Sequence, residues 1–357
     1  MNGRPRIDGL LSPRRRQVLQ GMGAALLVAG CGERVAPGTP VFTFGGATMG
    51  STYTVKIAGP MPTAAAQDAA RAAVAGVFDG VVARMSSFRD DSDVARINRQ
   101  RDGASTVVAA DTLVVLALAQ DVSAASGGAF DITVAPVVDA WGFGPTHERR
   151  VVPDDESRDL RGRIGWQRLA LDAGTSSVRK AAPALGVDLS GIAKGWAVER
   201  AADALAELGF TDCMVEAGGE VRTRGRNARG EPWQIAIERP DAVPQRAHRV
   251  VSLEGLAMAT SGDYRNYFER DGVRYCHEMD PVTARPVRHA LASVSVVAPH
   301  CGDADAWATA LMVLGPERGI ALAQARGLAA HFIVREAGAL RESWTPAFAA
   351  LPSRAIA

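Results

Sequence analysis

Net charge is nearly absent from this sequence. Its 357 residues carry 40 Lys and Arg against 39 Asp and Glu, a formal charge of +1. That balance gives no electrostatic case for nucleic acid or for an anionic membrane surface. Cysteine is scarce as well. Beyond the N-terminal segment there are only Cys213, Cys276 and Cys301. An odd number excludes a full disulfide framework, although one bridge stays open. Each reads as a small buried residue before it reads as a nucleophile. No apolar run after the N-terminal segment is long enough to span a bilayer. CxxC, HExxH, Walker and strand-borne GxGxxG patterns are all missing, which argues against zinc hydrolases and Rossmann enzymes. No repeat of fixed period appears, and the only compositional tract is a bias toward alanine.

What remains is an ordinary globular composition, 47% hydrophobic and 22% charged. Length alone allows a large core and roughly two domains. Residues 1–31 read as an export signal rather than as fold. Arg14-Arg15-Arg16 precedes a short apolar segment, GMGAALLVAG. Arg15-Arg16-Gln17-Val18-Leu19 is similar to the twin-arginine pattern of the folded-protein export route. Val28-Ala29-Gly30-Cys31 is similar to a lipobox, with Cys31 as the lipidated residue; the alternative is a plain secretory signal with a chance cysteine. Residues 32–40 are polar and rich in Pro and Gly and read as a tether, leaving 41–350 as the folded domain.

Within that domain, Val41 to Ile57 reads as strand, glycine turn, strand. Ala64 to Met85 carries Ala70, Val74, Val77, Phe78, Val81 and Met85 on one face and reads as a helix. Ser92 to Asn98 suits a short capped helix, and Asp111 to Ser126 a helix that starts on Asp111 as N-cap. Ile132 to Trp141 reads as another short helix, His147 to Asp159 as a charged surface loop, and Leu169 to Arg179 as a hairpin. Trp233–Glu238, His248–Leu253, Val273–His277, Leu291–Ala298 and His331–Arg335 are strand candidates. Asp303–Leu314 and Glu317–Ala325 are helical and are split by Gly315-Pro316. Helices and strands mix without strict alternation, so the class is α+β, with mixed or antiparallel sheets and packed helices.

The chain is organised around Val187 to Gly219. Val187-Asp188-Leu189 suits a buried strand end, and Ser190-Gly191 turns the chain. A helix follows from Ile192 to Leu208, Gly209 sits at its C-cap, and Cys213-Met214-Val215 reads as a strand that ends at Gly218-Gly219. Such a turn sets backbone N–H groups and a helix N-terminus beside Asp188 and Lys194, a place suited to an anion. An ordinary strand–helix unit whose acid caps the helix fits the spacing equally well.

Asp305 and Thr309 lie one turn apart on a predicted helix, so their oxygens share a face. A carboxylate and a hydroxyl are hard ligands that suit Mg²⁺ rather than zinc. The alternative is an Asp in the first turn near a Thr that bonds back to its own backbone. Thr260-Ser261-Gly262-Asp263-Tyr264, then His277 and Asp280-Pro281, form a second polar run, with His277 as a candidate base.

Taken together, the polar and glycine-rich runs resemble one family, the ApbE flavin transferases (FAD:protein FMN transferases). The runs are Met49 to Thr54; Met85 to Phe88 with Asn98; Gly128 to Thr133 with Trp141 to Gly144; Asp188 to Gly195; Ala217-Gly218-Gly219; Ala259 to Tyr264; His277 with Asp280-Pro281; and Ala304 to Leu311 with Val313-Leu314-Gly315. They fall in family order over nearly all of the chain beyond the signal. The resemblance implies an ApbE-like fold and an exported, often lipid-anchored enzyme on the periplasmic side of a bacterial membrane. It implies an Mg²⁺-dependent reaction on FAD as substrate. FMN passes through a phosphoester to a Thr of an exported flavoprotein, such as a subunit of a respiratory quinone reductase or electron-transport complex, and AMP leaves. Some relatives mainly hydrolyse FAD to FMN and AMP, and a non-catalytic flavin-binding lipoprotein is a further alternative. The resemblance assigns Mg²⁺ to Asp305, Thr309 and a backbone oxygen at Gly191. It assigns flavin-nucleotide contacts to Met49, Phe88, Ala129, Phe130, Asp131, Asp188, Lys194 and Met279, and His277 is the candidate for taking the acceptor's proton. The chain departs from the family's pattern at Ser51, where Thr is usual; at Glu278, usually aliphatic; at Ala284, usually Gly; and at Glu216 and Glu220, where Asn and Asp are common.

Overall fold

The computed structural model describes residues 39–146, 148–242 and 244–356. The expected export signal, Cys31 and most of the expected tether lie outside these residues. The frame is an eight-stranded sheet whose strands we number β1 (Val41–Thr48), β2 (Ser51–Ala58), β3 (Cys213–Ala217), β4 (Glu220–Arg224), β5 (Ala257–Gly262), β6 (Leu291–Ala298), β7 (Ala329–Glu336) and β8 (Ala339–Trp344). They pair in chain order and antiparallel throughout. The sheet is therefore a meander with long insertions. This is the expected α+β class.

Side chains alternate across such a sheet with period two, and the sequence supplies both faces with apolar groups. Val215, Ala217, Ala257, Val294, Val296 and Phe332 face the helical layer. Met214, Val221, Met258, Val297 and Ile333 face the other way, onto a smaller sheet of Trp233–Glu238, Ala247–Leu253 and Ser353–Ala355. The central strand β6 is buried along nearly its whole length, which is why it reads as a continuous apolar run. Each fully buried Val, Leu or Ile here contributes about 1.5–3 kcal/mol.

The helices are α1 (Ala64–Met85), α2 (Asp93–Arg99), α3 (Ala110–Ala125), α4 (Ala135–Ala140), α5 (Asp154–Arg161), α6 (Ala193–Glu207), α7 (Cys301–Ala325) and α8 (Pro346–Ala349); α4 and α5 pack in a separate cluster with Tyr275, and Phe348 of α8 packs on the small-sheet face with Met214 and Ile333. In α1, Val74, Phe78, Val81 and Met85 form the buried stripe, and Thr63 Oγ1 caps the N-terminus by accepting from Ala66 N at 3.3 Å. None of the helices among the described residues is long and apolar enough to cross a membrane. Cys213, Cys276 and Cys301 are all buried and free, so the open bridge does not form among them. Burial pushes the thiols of Cys213 and Cys276 up to about 12, which removes them as nucleophiles.

Several local expectations need correction. The charged stretch from His147 to Asp159 is not all loop. Its second half starts α5, because Asp154, Asp155 and Glu156 fill the first turn and Arg158 and Arg161 the last, each complementing the helix dipole. Asp111 is not the cap of α3; the cap position is Ala109, and Asp111 lies inside the first turn. Val187-Asp188-Leu189 joins no strand. Asn98 holds it instead, donating through Nδ2 to Val187 O at 2.9 Å and accepting from Val187 N at 2.6 Å. By contrast, the split expected at Gly315-Pro316 is present: two helical stretches meet within α7 at Gly315, whose φ of +77° and ψ of −179° are not helical. Strands β4, β5 and β8 were not foreseen. In the first two, polar residues such as Thr223 and Ser261 occupy buried positions and blur the alternation.

The meander sets up the site. The β1–β2 turn, the β3–β4 turn, the end of β5 and the start of β6 all fall at one end of the sheet. The loops that follow β5, and the first turn of α6, converge there.

Candidate active site

Helices α6 and α7 cap each other at this end of the sheet. The first turn of α6 has no side-chain cap of its own. Its Gly195 N–H donates to Asp305 Oδ2 on α7 at 2.9 Å. In return, Glu199 Oε2 on α6 accepts from Cys301 N at the start of α7, also at 2.9 Å. Helix N-termini carry unpaired N–H groups and partial positive charge, so a carboxylate is the natural partner at each. The helices approach so closely that a Cβ on Gly195 would lie 2.3 Å from Cys301 O. Only glycine fits there.

One turn along α7, Thr309 Oγ1 lies 3.2 Å from Ser261 Oγ on β5. The Gly191 turn faces the same hydroxyl. A Cβ on Gly191 would sit 3.1 Å from Thr309 Oγ1 and 3.2 Å from Phe130 Cε2. Asp305, Thr309 and the backbone at Gly191 are thus brought to one place.

The charges around this place do not balance. Asp305, Glu220 and Glu278 are 3%, 2% and 7% exposed. The cation among them is Lys194, which is ion-paired to Glu220 Oε1. Glu220 Oε2 is enclosed without a hydrogen-bond partner. Burial raises Asp305 to about 7, although Lys194 opposes the shift. Burial likewise raises Glu278 to about 8 against the pull of Lys194 and a hydrogen bond from Ser261. Burial alone would lower Lys194, but Asp305 and Glu220 more than offset it and hold the ammonium charged. A hard dication suits such an oxygen-rich, undercompensated set. Among the described residues no three His, Cys, Asp or Glu side chains converge as a metal cage. A cation here would therefore rest on the Asp305 carboxylate, the Thr309 hydroxyl and a backbone carbonyl, a donor set that fits Mg²⁺ and not zinc.

His277 closes the site from the loop after β5. Its backbone N–H donates to Asn266 O at 3.1 Å. Nδ1 is enclosed without a partner, while 38% of the side chain stays exposed. Burial, followed by the Lys194 charge, holds the imidazole below its ordinary proton affinity. A neutral imidazole with an open edge can accept a proton.

A model of the ApbE family matches residues 49–332 of this chain. The chain belongs to the ApbE family. It is similar to the FAD:protein FMN transferase of Vibrio cholerae, with 40% identity over 93% of this chain and 98% of that relative. It is also similar to the Haemophilus influenzae FAD:protein FMN transferase, with 38% identity over 87% and 90% of the two chains. Among solved structures, the apo form of Pseudomonas stutzeri flavinyl transferase ApbE superposes with a TM-score of 0.78 at 40% identity, covering 87% of this chain and 96% of that one.

Most of the residues assigned by the ApbE resemblance gather at this end of the sheet. Met49 sits at the β1–β2 turn with φ +46°. The neighbouring Ser51 Oγ approaches Gly218, as does the stem of Lys194. Asp188 N bonds Ile132 O at 2.8 Å, which ties the Ala129–Thr133 run to the Gly191 turn. Ala129 and Phe130 are buried, with Phe130 under that turn. Met279 is buried as well, in a neighbouring cluster with Trp141 and Tyr275. Asp131 holds the scaffold. Oδ1 accepts from Thr133 N and Oγ1, and Oδ2 from Trp166 N, so both carboxylate oxygens have partners within the protein. Phe88 stands apart, 69% exposed on the α1–α2 connection.

Sequence reasoning did not place Glu220, Glu278, Ser261 and Gly195 as members of the site. The signal for the two acids was their departure from the family's pattern. Ala284, another departure, holds a positive φ of +55° with its methyl fully buried, a backbone cost of about 1 kcal/mol where glycine would have none.

Proposed function

We propose that this chain is an Mg²⁺-dependent FAD:protein FMN transferase. It moves FMN from FAD to a Thr hydroxyl of an exported flavoprotein and releases AMP. The observation that carries this reading is the meeting of Asp305, Thr309 and Gly191 where α6 and α7 cap each other. Bound there, Mg²⁺ would neutralise the pyrophosphate and keep its oxygens in line for displacement. The protein's own part is positional. Asp305 and Thr309 present hard oxygens, and Lys194 adds a fixed positive charge near the same point. The Gly191 turn lets the chain approach without a side chain in the way. His277 takes the proton from the acceptor hydroxyl through its open edge. Family membership and the transferase names of the relatives support the reaction class.

The address belongs to the same proposal. The twin-arginine-like run and the lipobox-like Val28-Ala29-Gly30-Cys31 support export and a lipid anchor at Cys31 on the periplasmic side. Cys31→Ser should yield an unacylated chain; acyl groups on that variant would remove the lipobox reading.

The test of the reaction is incubation with FAD, Mg²⁺ and an acceptor flavoprotein. A fluorescent acceptor band on a denaturing gel means transfer. Free FMN without a labelled band would mean that water is the acceptor, and bound FAD without turnover would mean a carrier.

A further inference from the structure

His277 follows directly on a short hairpin, Tyr267–Arg270 paired with Val273–Cys276. Among the described residues that hairpin pairs with no further strand, and two strands alone are marginal, so it depends on contacts from outside. Arg149, in the connection between α4 and α5, supplies two of them. Its Nη1 donates to Tyr267 O and its Nη2 to Asn266 Oδ1, each at 2.7 Å. These residues open the hairpin, and the carbonyl of Asn266 is the one that accepts from His277 N at 3.1 Å. The same guanidinium lies 5.4 Å from the centre of the Phe143 ring, and Phe143 lies 6.4 Å, ring to ring, from the His277 imidazole. Arg149 thus reaches His277 along two paths, one through the backbone and one through an aromatic ring.

The arm is held at its root. A Cβ on Gly142 would lie 2.3 Å from Arg149 N, so the connection folds back closely on itself. Next in the chain, Arg150 Nε donates to Ala140 O at the end of α4 at 3.0 Å, and its Nη1 donates to Glu156 Oε2 on α5 at 2.9 Å. Arg149 therefore joins a fixed two-helix corner to the hairpin of the proposed base. A guanidinium suits that task. Its donors form a rigid planar fork that meets two acceptors at once and stacks on an aromatic face, which an ammonium cannot reproduce.

We propose that Arg149 is a positioning residue for His277: it clamps Asn266 and Tyr267 to the α4–α5 corner and so fixes the backbone from which the imidazole meets the acceptor hydroxyl. The inference rests on the reading of His277 as the base. A base works only within hydrogen-bond reach of the proton it takes, and a displacement of about 1 Å at a reacting group can cost about a hundredfold. Arg149 itself is exposed, so its replacement should loosen the hairpin and leave the core intact.

FMN transfer by Arg149→Lys and Arg149→Ala, each alone and combined with His277→Ala, tests this. Arg149→Lys keeps the charge and loses the fork. Both should lower kcat about tenfold, with KM for FAD and for the acceptor changed less than about twofold. In the His277→Ala background either should cost almost nothing further, because groups that act as a unit are non-additive. Thermal melts of each variant separate misfolding from loss of function. Where an Arg149 variant does not fold, Asn266→Ala, which removes one acceptor of the fork, carries the test with the same pattern of loss. A wild-type kcat for Arg149→Lys would overturn the proposal, since charge and not the fork would then matter. So would an equal loss with and without His277. A raised KM for either substrate at unchanged kcat would overturn it too, because Arg149 would then be a substrate contact. A near wild-type rate for His277→Ala would remove the base assignment itself.

Discussion

Glu278 and Glu342 are both largely enclosed carboxyls, and their surroundings drive them in opposite directions. Glu342, on β8, meets three nitrogen-bearing side chains. Arg249 Nε donates to it at 2.9 Å, His331 Nε2 lies at 2.6 Å and His248 Nε2 at 3.1 Å. Burial alone would raise Glu342, but the hydrogen bonds from Arg249 and His331 pull it down to about 2. Glu278 shares a single Lys194 with Asp305 and Glu220, and burial lifts it to about 8. The first acid is met by an arginine and by histidine donors and joins the small sheet to the large one. The second has fewer than it needs. A fold compensates its buried charges where they serve structure and leaves them open where a ligand will arrive.

The largest effect on this contrast should come from Asp305→Ala. It removes a charged oxygen from the undercompensated set, and turnover should fall about a thousandfold, equivalent to about 4 kcal/mol. Thr309→Val keeps the shape and loses only the hydroxyl, so rates measured against Mg²⁺ concentration should shift to higher concentration. Unchanged Mg²⁺ dependence in both variants would make this end of α7 purely structural.

His277→Ala comes next. A general base contributes about a hundred- to ten-thousandfold, and that much FMN transfer should be lost while FAD affinity, followed by flavin fluorescence, holds. His277→Gln should not recover it, because an amide accepts no proton near neutral pH.

Glu342→Gln acts on the other region. It leaves Arg249 and His331 without their carboxylate and should cost about 3 kcal/mol in urea unfolding. Transfer below the melting temperature should be untouched. A loss of activity without a loss of stability would break the division between the two regions.

The smallest effect is that of pH on the same cluster. Burial, against the hydrogen bond to Glu342, lowers His331 to about 4 from the ordinary value near 6.5. Between those values the unfolded chain binds more protons than the folded one, so this contribution is present above about pH 6.5 and lost as pH falls toward 4. Glu342, also depressed, adds a loss of the same sign as pH falls from about 4.5 to 2. Stability should drop by about 1–2 kcal/mol between pH 7 and pH 4.5, once solvent screening is allowed for. Stability that rises over that range would contradict the assignment.

The elements with one clear period were legible in the sequence. Helix α1 ends where its apolar stripe ends, and the β1–β2 hairpin turns at Met49-Gly50. The break at Gly315, where two helical stretches meet, was visible from Gly-Pro. The segment at Val187 looked like a strand because its residues are apolar, but its backbone partner is a side chain, Asn98, far off in sequence. No local pattern encodes such a contact. The same holds at the site. Asp305 and Thr309 could be paired from their helical spacing. That Asp305 would also cap α6 depends on how two helices meet, and the closeness of Glu278 to His277 depends on how a loop folds over β5.

The central claim is that the junction of α6 and α7 carries FMN to a protein hydroxyl. Its most direct test is intact-mass measurement of an acceptor flavoprotein after incubation with this enzyme, FAD and Mg²⁺, in parallel with Asp305→Ala. The account predicts one FMN joined by an ester bond at a Thr for the wild-type chain, and an unmodified acceptor for the variant and for reactions with a chelator. An acceptor that stays unmodified with the wild-type chain while FAD is consumed, or one labelled equally well by Asp305→Ala, would contradict it.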